Sequence, residues 1–169
     1  MKLWRIAAET RAFAADDLGG MGAASHPGRW NDHGEAVVYC ATSISLAVLE
    51  TAAHIDDGGF PQNRFLVEID VPGGVWSRRE EVQASALPAA WSAIPAGRAS
   101  VRFGSGWLLS RRSPILLVPS VIVPEENCAL INPAHPLARQ VRARVVRGFE
   151  YARMFRAGKP RLSTRHGAL

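Results

Sequence analysis

The sequence predicts one α+β domain, a compact unit in which helices flank a central mixed or antiparallel sheet. Segments with strand patterns outnumber helical segments, and the two kinds do not alternate regularly as they do in a doubly wound sheet. The chain has 169 residues, which is long enough to bury a core without disulfides or metals. No linker interrupts it, so length also favours a single domain.

Seven segments carry the alternating or continuous apolar pattern of β-strands. The segment 64–71 alternates with period two and is predicted to be half-exposed, whereas 114–120 is continuously apolar and is predicted to be buried. Pro119 cannot donate to a strand ladder, so we expect a bend, bulge or sheet edge there, with the hydroxyl of Ser120 exposed to its surroundings. The predicted strands are 3–7, 36–41, 64–71, 75–79, 114–120, 129–133 and 142–149.

Helical patterns are fewer. The clearest runs from about residue 43 to residue 55 and is largely apolar, and either Thr42 or Ser43 can cap its first free amides. Glu50 stands among these apolar side chains, where a carboxylate is costly unless it is paired; alternatively, it lies on a polar stripe. Glycines make 18–23 a predicted flexible loop. Further helices are predicted over 87–91, over 99–109 and just after His135.

Charge is unevenly distributed along the chain, whose net charge is +5. Residues 134–169 hold nine Lys or Arg against Glu150 alone, a net of +8, whereas residues 1–133 hold eleven against fourteen Asp or Glu, a net of −3. A basic end can meet nucleic acid, an acidic partner protein or an anionic ligand. It can equally be a solvated face followed by a loose basic tail, which we place at 157–169.

Composition argues against a membrane or secreted protein. No apolar run approaches the ~20 residues needed to cross a bilayer, and the N-terminus becomes charged too early for a secretory signal. Cys40 and Cys128 lie in apolar surroundings and are predicted to be buried free thiols of a cytoplasmic protein. The His and Cys residues share no metal-ligand spacing, and no serine lies in a Gly-x-Ser-x-Gly elbow. We therefore predict neither a metal site nor a serine hydrolase.

Three side chains of different chemistry lie on a predicted turn, strand and helix between residues 28 and 50. Arg29 can grip a diphosphate through its forked N–H donors. Tyr39 can stack on a flat heteroaromatic cation, and Glu50 can hold a sugar hydroxyl and stabilise developing positive charge. A loop, a strand and a helix that pack together can bring such residues to one point. Because most proteins contain an Arg, a Tyr and a Glu, this trio alone specifies little.

Motifs that cover most of the chain, taken in order, resemble the RES-domain family, the toxin half of RES–Xre toxin–antitoxin modules. The family is named after an Arg, a Glu and a Ser, which match Arg29, Glu50 and Ser120, and Tyr39 matches a tyrosine between the first two. The family resembles in turn the ADP-ribosyltransferase fold of diphtheria toxin. The matching motifs are residues 3–6, 28–31, 38–41, 45–50, 118–120 and 130–133.

The resemblance implies a role for each matching residue around NAD+, the substrate of the family. Arg29 would bind the dinucleotide, Tyr39 would pack on the nicotinamide ring, and Glu50 would hold the nicotinamide ribose. Ser120 would line the same pocket, and Asn132 would support it. No metal is implied. By this likeness the RES domain spans residues 1–156.

The same resemblance implies a toxin that cleaves the bond between nicotinamide and ribose. The acceptor of the ADP-ribosyl group stays open: water or phosphate would make the reaction NAD+ breakdown, and a protein side chain would make it ADP-ribosylation. The implied partner is an Xre-type helix-turn-helix antitoxin that blocks the cleft, with DNA contacted only through that antitoxin. A different class of function is a non-catalytic module that binds nucleic acid or protein through its basic end.

Overall fold

The computed structural model describes residues 1–55 and 59–154, which form one seven-stranded mixed sheet with helical segments packed on both faces. The predicted α+β class is confirmed. Within the described residues, no helix has the length and apolar character needed to cross a membrane. The predicted basic tail at 157–169 lies outside the described residues.

Six of the seven predicted strands are present, and one strand of two residues was not predicted. The order across the sheet is β4-β5-β6-β2-β1-β3-β7, and all neighbours are antiparallel except β4 and β5, which are parallel. The strands are β1 (Lys2–Ala8), β2 (Val38–Ala41), β3 (Arg64–Asp70), β4 (Glu80–Glu81), β5 (Ile115–Pro119), β6 (Asn127–Ile131) and β7 (Arg142–Phe149).

The longest helices are the two predicted over 43–55 and 99–109. The first of them begins at Ile44 and is capped as expected by Ser43, whose side chain accepts from the amide of Leu46. The helices are α1 (Met21–Ser25), α2 (Ile44–Ala52), α3 (Gly73–Trp76) and α4 (Arg98–Ser110), with 3₁₀ turns at Ala84–Ala86, Pro136–Gln140 and Tyr151–Met154.

Four local predictions are wrong. The predicted strand 75–79 is replaced by α3, in which the amides of Val75 and Trp76 bond back to Pro72. The predicted helix 87–91 is an isolated turn, because a residue that precedes proline, here Leu87, is driven to extended backbone. The predicted loop 18–23 contains the start of α1. The central residues of β3 are buried rather than half-exposed, because both faces of this strand are covered.

Separate apolar clusters cover the two faces of the sheet. On one face, β-strand side chains pack against α3 and the Pro136–Gln140 turn. On the other, α4 packs through Trp107 and Leu108, and α2 packs through Leu46 and Ala47. The face that carries α2 and α4 also carries Tyr39, so this side of the sheet holds the candidate site.

Strands β1 and β2 diverge, and this divergence positions the candidate site. β1 pairs with β3 along all seven of its residues, from Lys2 to Ala8. It pairs with β2 at one register position, Trp4 opposite Ala41. Beyond that point the sheet is open between the second half of β1 and the first half of β2.

Candidate active site

A cleft of about 600 Å³ lies where β1 and β2 diverge. Its walls come from these two strands, from α1 and α2, and from the segment that joins β1 to α1. Tyr39 of β2 and Glu50 of α2 both line it. Small-molecule sites in proteins enclose roughly 300–1,000 Å³, so the cleft is large enough for an organic ligand. The structure thus brings two of the predicted site residues to one cavity.

Tyr39 is fixed by its hydroxyl, which leaves its ring for contact with a ligand. The hydroxyl donates to Asn31 Oδ1 at 2.8 Å and accepts from the backbone amide of Trp30 at 2.9 Å. Burial raises the pKa of this phenol well above its ordinary value, so the ring stays neutral. Gly28 makes the arrangement possible, because a Cβ at this position would lie 2.7 Å from the phenol oxygen.

Asn31 is the centre of the turn that precedes β2, and its side chain is fully buried. Its Oδ1 accepts from the amide of Gly28 at 2.8 Å as well as from Tyr39. Its Nδ2 donates to three backbone carbonyls, which belong to Ala23, Asp32 and Glu35. One amide therefore ties the turn to α1 and orients the phenol. Asn31 belongs to the family motif at 28–31, but the sequence does not indicate a role for it.

Glu50 is held by two donors that meet the same carboxylate oxygen. Ser120 Oγ donates to Glu50 Oε1 at 2.5 Å, and Cys128 Sγ donates to it at 3.2 Å. The other oxygen, Oε2, accepts no hydrogen bond from the described residues. Because Glu50 lines the cleft, this arrangement orients the carboxylate and leaves one oxygen for a ligand. The sequence analysis left two alternatives for Glu50, a paired carboxylate among apolar side chains or a carboxylate on a polar stripe. The structure shows the first, because Ser120 and Cys128 both donate to it.

Ser120 is buried, and its hydroxyl has its full set of partners. Besides donating to Glu50, it accepts from the amides of Ile122 and Val123 at 3.0 and 2.9 Å. The chain turns directly after β5, as the proline before Ser120 predicts, but the hydroxyl is enclosed by that turn. Ser120 does not line the cleft. Because Ser120 contacts the Glu50 carboxylate without lining the cavity, it can position Glu50 but does not itself face the cleft.

Arg29 does not line the cleft, although its guanidinium lies within electrostatic reach of Tyr39 and Glu50, which do. Its Nη1 donates to the carbonyls of Trp91 and Ala93, at 2.7 and 2.8 Å. Burial lowers the pKa of this guanidinium, and the charge of Glu50 acts against that shift, so the two groups lie within electrostatic reach. The structure therefore places Arg29 beside the other two members of the predicted trio, but with one nitrogen already bound to backbone.

Arg5 of β1 is among the residues that line the cleft, and its Nη2 donates to the carbonyl of Ala15 at 3.0 Å. This bond fastens the segment between β1 and α1 to the wall of the cleft. His26 and Arg64 also line the cavity. The lining of the cleft thus includes two arginines, whose N–H donors suit an anionic ligand.

Asn132 does not lie at the cleft. It is buried after β6, where its Nδ2 donates to the carbonyl of Leu108 at 2.8 Å and its Oδ1 accepts from the amide of Ala134 at 3.0 Å. These bonds tie the end of β6 to α4. Asn132 was predicted to support the ligand pocket. Among the described residues, however, its side chain bonds to none that line the cleft.

Comparison with known proteins identifies the family. A family model described as the RES domain matches residues 2–153. The chain belongs to the RES domain family. It is 54% identical over 148 residues to the Prs ADP-ribosylating toxin of Sphingobium sp. (strain YBL2), covering 88% of this chain and 92% of that protein. It is 39% identical over 135 residues to the Toxin Res of Yersinia enterocolitica, covering 80% of this chain and 86% of that protein.

A solved structure shares the fold of this RES domain. The crystal structure of the M. tuberculosis MbcT–MbcA toxin–antitoxin complex matches with a TM-score of 0.61 and 16% sequence identity, over 86% of this chain and 84% of that chain. At this identity the match establishes the fold, and it agrees with the mixed sheet described above. In residues 1–55 and 59–154, no group of three or more His, Cys, Asp or Glu side chains could hold a metal ion.

Both thiols of the RES domain are expected to be inert in the folded protein. Burial raises the pKa of Cys40 to about 12, and burial together with the Glu50 carboxylate raises that of Cys128. An unperturbed thiol has a pKa of about 8.5, so at pH 8 the thiolate fraction of Cys40 falls by roughly 10³. Mass spectrometry after iodoacetamide treatment should show alkylation of both thiols in urea and of neither in buffer. Rapid alkylation in buffer would contradict this environment.

The same shifts give the stability of the domain a defined pH dependence. Each thiol binds its proton more tightly in the folded than in the unfolded state. Their contribution to the free energy of unfolding is therefore complete below about pH 8.5 and decreases as the pH rises above that value.

Proposed function

We propose that this RES domain is a toxin of a toxin–antitoxin module and that it consumes NAD+ by cleaving the bond between nicotinamide and ribose. The observation that carries the proposal is the pairing of Tyr39 and Glu50 in one cleft, with Glu50 oriented by Ser120 and Cys128. The name of one relative, the Prs ADP-ribosylating toxin, supports this reaction class, and the name of another, Toxin Res, supports the role of a toxin.

In the proposed reaction, the electron pair of the carbon–nitrogen bond leaves with nicotinamide, which becomes neutral. Positive charge develops on the ribose carbon and ring oxygen, and an oxygen of the acceptor then bonds to that carbon and loses its proton. A carboxylate near the ribose stabilises this oxocarbenium-like state, as it does in glycoside cleavage. In this proposal, the free oxygen of Glu50 serves that purpose and the Tyr39 ring packs on nicotinamide.

The proposed dinucleotide extends from the Tyr39–Glu50 end toward the cations of the cleft. Arg5 meets the diphosphate from the lining of the cleft, and Arg29 meets it from beyond that lining. A guanidinium has five N–H donors, and within residues 1–55 and 59–154 only Nη1 of Arg29 donates to carbonyls. Asn132 has no role in NAD+ binding in this proposal.

Nicotinamide release tests this function. Purified protein is incubated with NAD+ in buffer, in phosphate and in cell extract, and free nicotinamide is measured. Release in any of the three supports the proposal, and labelled NAD+ then separates the acceptors. Label on protein indicates ADP-ribosylation, whereas free ADP-ribose or its phosphate indicates breakdown. The absence of nicotinamide under all three conditions would overturn the proposal.

Replacing either arginine with alanine is expected to weaken NAD+ binding by about 10- to 100-fold, because each removes charge-assisted hydrogen bonds to a diphosphate. The measurement is calorimetric titration with NAD+ in a Glu50→Gln background, in which turnover is expected to be about 10²- to 10³-fold slower. Arg102→Ala, which removes an exposed arginine of α4, is the matched control and should leave the affinity unchanged. Unchanged affinity in Arg29→Ala or Arg5→Ala would remove that residue from the site.

The proposed partner is an antitoxin protein of the Xre type. The neighbour of known structure was solved as a toxin–antitoxin complex, which supports a partner of this general kind. A protein that occupies the cleft between β1 and β2 would exclude NAD+ and so suppress toxicity. We propose a cytoplasmic location, where NAD+ and such a partner are both available.

A second candidate function uses the basic end of the chain as a binding surface. Strand β7 lies at the edge of the sheet, and its Arg144 pairs with Glu68. Arg142 and Arg147 are exposed and contact no carboxylate in the part of the chain that the structure describes. Binding of nucleic acid through such arginines weakens steeply with salt, whereas binding of NAD+ in the cleft should change little.

A further inference from the structure

The guanidinium of Arg29 is held by a segment that lies far from it in the sequence. Its Nη1 donates to two carbonyls, those of Trp91 and Ala93, which lie two residues apart in a double turn over 88–93. The amide of Trp91 bonds to the carbonyl of Pro88 and closes the first turn, and the amide of Ala93 bonds to that of Ala90 and closes the second. The two acceptors therefore have fixed directions.

An aromatic stack fixes the turn against the rest of the domain. The ring of Trp91 stacks on that of Trp30, with centroids 6.2 Å apart and planes 21° apart. Trp30 is buried and meets Phe103 of α4 edge to face, with centroids 6.0 Å apart. Gly104 allows α4 to come this close, because a Cβ there would overlap the backbone of Trp30. The stack thus runs from α4 through Trp30 to Trp91.

These contacts connect Arg29 and Tyr39 through the two tryptophans, Trp30 and Trp91. Trp30 follows Arg29 directly in the chain, and its amide also donates to the hydroxyl of Tyr39. The same aromatic ring therefore supports the backbone that fixes Tyr39 and the turn that orients Arg29. A long side chain that is already oriented loses less conformational freedom when a ligand binds.

We propose that Trp91 is a positioning residue for NAD+ binding: by stacking on Trp30 it holds the carbonyls of residues 91 and 93 where they orient Arg29 toward the cleft. This inference rests on the proposed function, in which Arg29 meets the diphosphate. Trp91 itself does not line the cleft. Its effect on the ligand is transmitted entirely through Arg29.

A double-mutant cycle tests the inference, with NAD+ affinity measured by calorimetry in a Glu50→Gln background. Trp91→Ala is expected to weaken binding about 3- to 10-fold, the cost of leaving one long side chain unordered. Arg29→Ala should weaken it at least as much, and the double variant should be no weaker than Arg29→Ala alone. Trp91→Phe, which keeps an aromatic ring, should restore most of the affinity.

The control is Trp76→Ala, which removes a partly buried indole of α3 on the opposite face of the sheet and should leave NAD+ affinity unchanged. If Trp91→Ala does not fold, the cycle is run with Trp91→Leu, which keeps apolar bulk. Full affinity in the folded Trp91 variant, or losses that add to those of Arg29→Ala, would overturn the positioning role alone. A parent protein that neither binds nor cleaves NAD+ would overturn the proposed function and this inference with it.

Discussion

Replacing Glu50 with Gln is expected to lower the rate of nicotinamide release by about 10²- to 10³-fold while leaving the fold intact. In the proposed reaction, the change removes the negative charge that stabilises the developing oxocarbenium ion, and the loss of one such group costs about this much. It removes little volume, and the new amide oxygen still accepts from Ser120. The measurement is the rate of nicotinamide release, with growth arrest at matched expression as the second readout.

The matched control for this variant is Glu125→Gln, which neutralises an exposed carboxylate near Ser120 in the loop between β5 and β6. It should release nicotinamide at the wild-type rate. Comparable circular dichroism spectra and unfolding midpoints for the two variants would show that folding is unaffected. A Glu50→Gln protein that still arrests growth and releases nicotinamide would remove Glu50 from the reaction.

The second large effect is expected at Asn31, where replacement by Ala should reduce the free energy of unfolding by about 2–5 kcal/mol. The change leaves several buried donors and acceptors unsatisfied, each of which costs about 1–3 kcal/mol with partial relaxation. It also frees the hydroxyl of Tyr39, so NAD+ affinity should fall with stability. The measurements are urea unfolding and calorimetric titration with NAD+.

Asn132→Ala separates these two consequences. Asn132 is as buried as Asn31 but makes two side-chain hydrogen bonds, and neither reaches the cleft. Its loss should cost about 1–3 kcal/mol of unfolding free energy and leave NAD+ affinity unchanged. If both asparagine variants lose affinity in proportion to stability, the specific link from Asn31 to Tyr39 is wrong.

Much of the sheet could be predicted because its strands carry a local signal. Continuous apolar runs such as Ile115–Pro119, and alternation such as that in Arg142–Phe149, mark strands without knowledge of their neighbours. The two-residue β4 has no such pattern, since its place depends on pairing with β5. Helix α3 was taken for a strand because four residues are too few to show helical periodicity.

The divergence of β1 and β2 could not be predicted from either strand. It depends on which residues pair, and the sequence does not show that β1 and β2 pair at one register position, Trp4 opposite Ala41. The existence of the cleft depends on strand pairing and could not be predicted, whereas individual residues that line it could be identified from sequence motifs. The family motifs indicated Tyr39 and Glu50, and the fold brings them together.

The supporting contacts were missed because they join distant parts of the chain. Cys128 reaches Glu50 because β6 pairs with β2 in a register that sets Cys128 opposite Ala41. Its sequence neighbourhood indicates only a buried thiol. Trp91 was placed in a predicted helix, and its stacking on Trp30 depends on a turn that the sequence did not indicate.

A crystal structure of the Glu50→Gln variant with NAD+ tests the central claim most directly, because the variant should bind the dinucleotide without cleaving it. We expect the nicotinamide ring against the face of Tyr39, a ribose hydroxyl within hydrogen-bond distance of residue 50, and the diphosphate near Arg5 and Arg29. Electron density for the nicotinamide ribose outside the cleft between β1 and β2, with Tyr39 and residue 50 uncontacted, would contradict the account.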